Sequence, residues 1–596
     1  MKKQLIFKII KIASLILTLF NLLMFFSMRC CWSGISKTLG YEEATDLTTK
    51  QFLLDFPVIV CFVLLAIAIT NILLFKFMKK ESKVCSIIML SVNFVFLIAI
   101  IAIIVLGAID YMYFIIPEFI KVTVITALIF FVLFMIFIYP KSNLANSKVY
   151  KYTVFLTLLL IAVLYVVNFS INTINYKPVV YAVEDKYQIV FGTSAESLGW
   201  VEINGKKYAQ TSAGSEVSNT KVHKIEVPMD ALNEAKEYKI VSQKFFYRGP
   251  FGAIKDIVIS ESYSFKPVDT TDGINYYALS DIHMETKGAV AAASYNPDME
   301  LLVLAGDVIS LMNTHDDAFY TGKVAHEITK GEIPVVYARG NHEIKGDIAE
   351  EFYKYVGSKN TNFYYNFYIG DIYGLVLDMG EDHDDDYWEY YDTAFFDDYR
   401  YEQSSFITKE LEKNENDKFS YQNYKYRMVV CHIPISYINT RGNHKDIKIE
   451  LTEKLNQMDI DIMLSGHQHD LWVFEPNTLK PLEKLTYNTD YEPAKADGTP
   501  KKHKGMVTDF NFPTFLISKR GSSQTDSAEL TQTTQIGLTV KVDKDYTTET
   551  IVYNNSEGKI ISMVNQFASN TTDTLVNYTY GNEIVIDLVT KAFTKR

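Results

Sequence analysis

Asn341, His342 and Glu343 stand just past an apolar run, Ile333-Pro-Val-Val-Tyr-Ala338, with Gly340 ahead of them. An amide, an imidazole and a carboxylate delivered onto a loop by a buried strand are the side chains of a hydrolytic site, and the glycine lets the backbone turn sharply. Four further stretches repeat the design. Asn275-Tyr-Tyr-Ala-Leu-Ser280 leads into Asp281-Ile-His283, and Glu300-Leu-Leu-Val-Leu-Ala305 leads into Gly306-Asp307. Tyr426-Arg-Met-Val-Val-Cys431 leads into His432-Ile-Pro434, and Ile460-Asp-Ile-Met-Leu-Ser465 leads into Gly466-His-Gln-His469. Singly, an Asp-x-His is usually a capped turn and a Gly-Asp is a common loop dipeptide. Together the motifs gather five of the chain's eleven histidines, which scattered core histidines would not do.

Taken in order, Asp-x-His, Gly-Asp, Gly-Asn-His-Glu, His-x-Pro and Gly-His-x-His resemble the calcineurin-like metallophosphoesterase superfamily, over about Asn275 to Ile517. The resemblance implies two metal ions bridged by one carboxylate inside a two-sheet β-sandwich flanked by helices. It puts Asp281, His283, Asp307 and His469 on one metal, and Asp307, Asn341, His432 and His467 on the other. Purple acid phosphatases of this superfamily place a tyrosine three residues after the bridging aspartate to bind ferric iron; Ser310 stands there in this chain, and the first motif supplies His283 instead. The sequence therefore resembles the colourless, His-containing branch. A donor set of carboxylate, amide and imidazole without sulfur suits two divalent ions of manganese, iron or zinc. Two such ions about 3.5–4 Å apart can share and deprotonate a water, giving a metal-bridging hydroxide for in-line attack on the ester. Asp307 is the expected bridge. His342 is implied to face the substrate, protonating the leaving oxygen or stabilising the transition state. Asn341, His342 and Arg339 are the expected substrate contacts, although Arg339 reads equally well as a surface salt-bridge partner.

The elements that must position these residues belong to a chain long enough for several domains. Residues 1–175 read as a transmembrane region of about five helices. Their apolar runs, Leu5–Phe26, Phe52–Phe75, Val84–Leu106, Phe119–Tyr139 and Val154–Phe169, are each close to the about 20 residues a span needs. Lys2, Lys3, Lys8 and Lys11, then Lys76 to Lys83, then Lys141 to Lys151 alternate with loops holding Glu42, Glu43 and Asp46, then Asp110 and Glu118. That alternation predicts a plasma-membrane protein with a cytoplasmic N-terminus and an extracytoplasmic catalytic domain; the first run is also compatible with a cleaved signal peptide. Residues 178–268 alternate as short strands around the hairpin signal Asn204-Gly205 and resemble the fibronectin type III-like β-sandwich that precedes the catalytic domain in purple-acid-phosphatase-like enzymes. Residues 273–565 read as the α/β phosphoesterase domain, and 566–596 as an uninformative tail. The expected fold class is thus multi-domain: an N-terminal all-α transmembrane bundle, a small β-sandwich, then an α/β metallophosphoesterase sandwich flanked by helices.

Gly380-Glu-Asp-His-Asp-Asp-Asp-Tyr-Trp-Glu-Tyr-Tyr391, continuing to Asp398, reads as a solvated charged loop or as a functional one. Its interleaved aromatics argue that part of it packs, and its resemblance to acidic insertions in bacterial phosphoesterases related to purple acid phosphatases implies a lid beside the metals that shapes specificity. This charge, within a net −12, argues against nucleic acid as a partner. Expected partners are a phosphate ester, whether small molecule, lipid or cell-wall polymer, and the membrane. Two function classes are open on the sequence: a membrane-anchored, outward-facing phosphoesterase acting on mono- or diesters, and a noncatalytic metal- or phosphate-binding receptor that retains the fold.

Overall fold

The computed structural model describes residues 172–248, 253–390, 393–439, 444–469, 471–476, 485–489, 503–517, 535–561, 563–568 and 575–595. The chain divides into two units, Met1–Asn172 with Gln243–Val258, and Thr173–Ser242 with Ile259–Arg596. Among its described residues the first holds one hairpin, Phe245–Arg248 paired with Ala253–Lys255. The second carries every candidate site residue.

In that second unit the strands Ile274–Leu279, Leu301–Ala305 and Pro334–Ala338 run parallel as neighbours within a 13-stranded sheet. Every residue of the last two is buried, as continuous apolar runs covered on both faces should be. A six-stranded sheet sets Ile372–Leu377, Tyr426–Cys431, Ile462–Ser465 and Thr514–Leu516 parallel to one another, with Tyr365–Ile369 and Val473–Phe474 antiparallel at its edges. The two-residue period of these strands divides their side chains between two cores. Val376, Met428, Val430, Ile462 and Leu464 join the core shared with the first sheet. Leu375, Leu377, Val429, Cys431 and Met463 pack with Ile407 and Leu451 of the helices Phe396–Leu411 and Lys445–Leu455. Across the shared core the hydroxyls of Tyr276 and Tyr426 lie 3.0 Å apart. Helices Thr286–Ala293 and Tyr320–Thr329 pack against each other and against strands of the first sheet. Two sheets with flanking helices are therefore present, as expected for the phosphoesterase part.

The expected fold class needs correction at its N-terminal end. Among the described residues no helix is long and apolar enough to cross a membrane, and the described chain is rich in strands. A span takes about 20 apolar residues; the longest described helix, Phe396–Leu411, has 16 and includes Asp397, Asp398, Arg400 and Glu402. An all-α transmembrane bundle is thus no part of the fold described. The five apolar runs, from Leu5–Phe26 to Val154–Phe169, lie outside the described residues.

The structure also differs at the expected boundary of the small sandwich at 178–268. Ile174–Val183 pairs antiparallel with the long strand Lys186–Ile203 and, on its other edge, parallel with Pro334–Ala338, Val180 standing opposite Pro334. The strands before the catalytic domain therefore continue its sheet. The reason lies in Pro178-Val-Val-Tyr-Ala-Val183, six buried residues in a row, a pattern of a strand with neighbours on both edges and cover on both faces. At the other end, Ile584–Asp587 pairs with Thr548–Asn555 and then with Phe593–Lys595, so the expected tail completes the same sheet.

Candidate active site

Each site loop follows the carboxyl end of a parallel strand, so adjacent strands deliver their loops to one edge of the paired sheets. Asp281 and His283 follow Leu279, Asp307 follows Ala305, and Asn341 and His342 follow Ala338 on the first sheet. His432 follows Cys431, and His467 and His469 follow Ser465 on the second. Five of these residues hold a left-handed backbone: Asp281 (φ 53°), His283 (46°), Asp307 (52°), His467 (73°) and His469 (56°). Outside glycine such conformations cost on the order of 1–3 kcal/mol each and persist where the surroundings hold them. Two glycines permit the close approach. A Cβ on Gly340 would lie 2.2 Å from Asp307 Oδ1, and one on Gly466 would lie 1.8 Å from Ser280 Oγ and 2.6 Å from Asp281 Oδ2.

The side chains form two clusters that share one carboxylate. Ligand atoms of Asp281, His283, Asp307 and His469 lie within 4.8 Å of one another, as do those of Asp307, His432 and His467. Asp307 Oδ2 is 3.1 Å from His432 Nε2, 3.9 Å from His283 Nε2 and 4.0 Å from His342 Nε2. In the first cluster His469 Nε2 is 3.3 Å from Asp281 Oδ1 and 3.1 Å from His283 Nε2. In the second, Asn341 Oδ1 lies 3.3 Å from His432 Nε2 and 3.0 Å from His467 Nδ1. All seven expected ligands are thus brought together.

Electrostatics make the same point. Burial pushes the Asp307 carboxyl up, but His432, His342 and His283 outweigh it and hold it well below the usual carboxylate range. Burial works against a charged His432, yet Asp307 and Asp281 raise its imidazole to about 10. Burial takes His283 down to about 4. Two buried carboxylates, amide and imidazole donors, and two imidazole nitrogens facing each other at 3.1 Å form a donor set that fits a pair of divalent cations.

His342 is held differently. Its Nδ1 is 2.9 Å from the Ser310 carbonyl oxygen and its backbone N–H donates to Asp307 Oδ1 at 2.9 Å. A carbonyl only accepts, so Nδ1 carries hydrogen and Nε2 is the position for proton exchange. Arg339 is a salt-bridge partner, but a buried one. Its guanidinium pairs with the buried Asp378 at 2.7 and 2.8 Å and lies 4.4 Å over the Phe363 ring. A side chain only 12% exposed keeps its charge where a carboxylate neutralises it.

Several residues that the sequence reading left out of the ligand set organise the site. Glu343 accepts the backbone N–H groups of Asp307, Val308, Ile309 and Gly340 at 2.6–3.0 Å, locking the Asp307 and Asn341 loops together. Burial and Asp307 push its carboxyl up to about 7. Asp382 Oδ2 stands 3.1 Å from His467 Nε2. Glu381 accepts from Asn341 Nδ2 at 3.3 Å and pairs with Lys345 at 3.1 Å. The signal was present: Ile372-Tyr-Gly-Leu-Val-Leu377 is a sixth apolar run ending in Asp378 and, after a glycine, Glu381-Asp382.

Residues 274–471 match the model of the calcineurin-like phosphoesterase family. No curated protein matches the chain significantly. Among solved structures, the purple acid phosphatase PPD1 from yellow lupin (Lupinus luteus) seeds is similar at 10% identity and a TM-score of 0.39, covering 70% of this chain and 75% of that one. GAP50, the anchor in the inner membrane complex of Plasmodium, is similar at 13% identity and a TM-score of 0.25, covering 52% and 88%. Vps29 of Chaetomium thermophilum is similar at 10% identity and a TM-score of 0.20, covering 52% and 99%. The matched stretch is thus similar to calcineurin-like phosphoesterases, and the two ligand clusters could hold divalent metal.

Proposed function

We propose that the chain hydrolyses phosphate mono- or diesters with two divalent cations, held by Asp281, His283, Asp307 and His469 on one side and by Asp307, Asn341, His432 and His467 on the other. The observation that carries this is the sharing of Asp307 by both clusters. When bound, such cations supply charge neutralisation for the ester and acidify water near neutral pH. The chain's own residues orient and exchange protons. Glu343 fixes the Asp307 loop through four backbone donors, Asp382 orients His467, and Glu381 orients Asn341 with its amide oxygen toward the histidines. His342, with Nδ1 committed to Ser310, presents Nε2 on the open side of Asp307, where it stabilises developing charge or gives a proton to the leaving oxygen. Manganese, iron and zinc all suit these donors, and a small ester, a lipid or a cell-wall polymer is the substrate class. For location we propose an extracytoplasmic catalytic domain attached to the membrane, a reading supported by the lysine distribution of the sequence and tested by protease accessibility on intact cells.

The test uses the purified chain, stripped of metal and reloaded with manganese, zinc or iron, with nitrophenyl phosphate and bis-nitrophenyl phosphate as substrates and Asp307→Asn as control. Metal-dependent turnover that the substitution abolishes is the expected result. A folded protein that binds two ions and turns over neither ester would sink the hydrolase reading.

A further inference from the structure

A cavity of about 790 Å³ opens between the loops that follow Ser310 and His342 and the acidic insertion. Its wall includes Leu311, Ile344, Lys345, Trp388, Tyr390 and Phe396. Two of the loops that build it are site loops. Leu311 directly follows Ser310, whose carbonyl holds His342; Ile344 ends the short turn that His342 begins, and Lys345 follows it. The third wall comes from the acidic insertion, whose upstream end is fastened to the ligands through Asp382 and Glu381. Lys345 in that wall shares the Glu381 carboxylate with Asn341, so the cavity lies next to the second ligand cluster.

The chemistry of that wall is specific. Trp388 is 70% exposed and Leu311 46%, so the wall offers apolar surface to a ligand. The indole is supported from the side by Tyr387, with ring centroids 5.8 Å apart, and Tyr390 meets Phe396 edge-on at 6.0 Å. The Arg339 charge at the cavity is already neutralised by Asp378, and that of Lys345 is paired with Glu381. Asp347 and Glu350 add negative charge to the lining. An aromatic wall with its cations taken and with acidic groups nearby disfavours a second phosphate and favours a flat, uncharged ring. The volume lies in the range of roughly 300–1,000 Å³ that small-molecule sites occupy.

Building on the hydrolase reading, we propose that this cavity is the subsite for the organic part of the ester, and that it selects leaving groups bearing a planar aromatic ring, stacked on Trp388 beside Leu311. The ring is held while the phosphate lies on the ligand clusters, and His342 stands between the two. Trp388 and Leu311 are specificity residues in this arrangement, contributing to binding of the ester rather than to bond cleavage.

The test follows phosphate release by the metal-loaded full chain from phenyl phosphate and from ethyl phosphate, in the parent protein, Trp388→Ala and Trp388→Phe. Comparing each variant with the parent cancels the intrinsic difference between the two leaving groups. The expected result is an aryl-to-alkyl ratio of kcat/KM that falls about tenfold in Trp388→Ala, through KM, and recovers in Trp388→Phe, since stacking on one aromatic side chain carries an effect of this order. An unchanged ratio in Trp388→Ala, or an equal loss for both esters, overturns the proposal. A second readout needs no turnover. Phenylphosphonate, which cannot be hydrolysed, is expected to quench tryptophan fluorescence saturably in the parent and not in Trp388→Phe. Quenching without turnover of any ester would leave the ring subsite standing while the hydrolase reading fails; absence of quenching, or quenching retained in Trp388→Phe, overturns the subsite itself.

Discussion

The two ends of the paired sheets are built from the same strands and do opposite things. At the carboxyl ends, Asp281, His283, Asp307, His467 and His469 sit in left-handed backbone, and imidazoles and carboxylates crowd within 4.8 Å. At the amino ends a run of buried polar groups links one sheet to the other. Tyr276 meets Tyr426, Tyr426 donates to Glu549 at 2.7 Å, the Arg427 backbone N–H donates to Asp461 at 2.7 Å, and Lys591 completes an ion pair with Asp461. One end gathers strained, metal-type ligands in one place; the other joins sheet to sheet. Activity and stability should therefore separate by end.

The largest effect is expected at the carboxyl end. Asp307→Asn removes the only carboxylate common to both clusters, so kcat should fall by at least about a thousandfold and both ions should be lost. The metal-free variant should still fold, with its melting temperature lowered only modestly, because the amide keeps the shape and the bond from the His342 N–H while giving up the attraction to His432. Metal stoichiometry by elemental analysis beside a melting curve checks both halves, and a variant that unfolds without having lost metal affinity would break the separation. Asp382→Asn probes the same end less severely. The carboxylate that orients His467 is removed while every ligand stays, and loss of such a partner typically weakens metal binding about 10- to 100-fold. Titration with zinc should show one of two affinities falling and the other unmoved.

Asp382 also marks where sequence reasoning reached its limit. The five ligand-bearing motifs were legible because each joins an apolar run to a metal-type donor, a pattern that depends on neighbours in the chain. The sixth run, Ile372–Leu377, ends in an ordinary acidic stretch, and nothing local distinguishes a carboxylate that reaches His467, 85 residues away in sequence, from one in solvent. The burial of the Arg339 salt bridge was hidden for the same reason, since its partner Asp378 is 39 residues distant. Ile174–Val183 was hidden by its own burial: a strand with neighbours on both edges shows no alternation, and its parallel pairing with Pro334–Ala338 is a contact over some 150 residues that no periodicity encodes. The left-handed conformations at the ligands, which Asp and His take up more readily than most residues, are likewise fixed by the assembled loops rather than by any local signal.

At the amino end, Lys591→Met should leave hydrolysis intact while lowering stability. Asp461 is buried, and taking away its cation leaves a carboxylate with only the Arg427 backbone donor, a loss of about 3 kcal/mol for a pair of this burial. A matching loss of activity in the folded variant would mean that the two ends are coupled through the strands.

The smallest effect is a matter of slope. Burial pushes the Glu549 carboxyl up to about 8, against an ordinary value of 4.5, and one of its oxygens has no hydrogen-bond partner. Between those pH values the folded chain holds a proton that the unfolded chain has released. Folding is therefore favoured by this group fully below about 4.5, and the contribution drains away as pH rises toward 8, at up to about 1.4 kcal/mol per pH unit. Glu549→Gln keeps the shape and a partner for Tyr426 but cannot ionise. Its stability should fall less steeply than the parent's between pH 5 and 8, the two curves separating toward the alkaline side with the variant above, as urea titrations at a series of pH values would record. Turnover should be the same in both, because no ligand lies at that end. Parallel curves would mean that Glu549 titrates normally in the folded chain and that the amino end is wetter than its packing indicates.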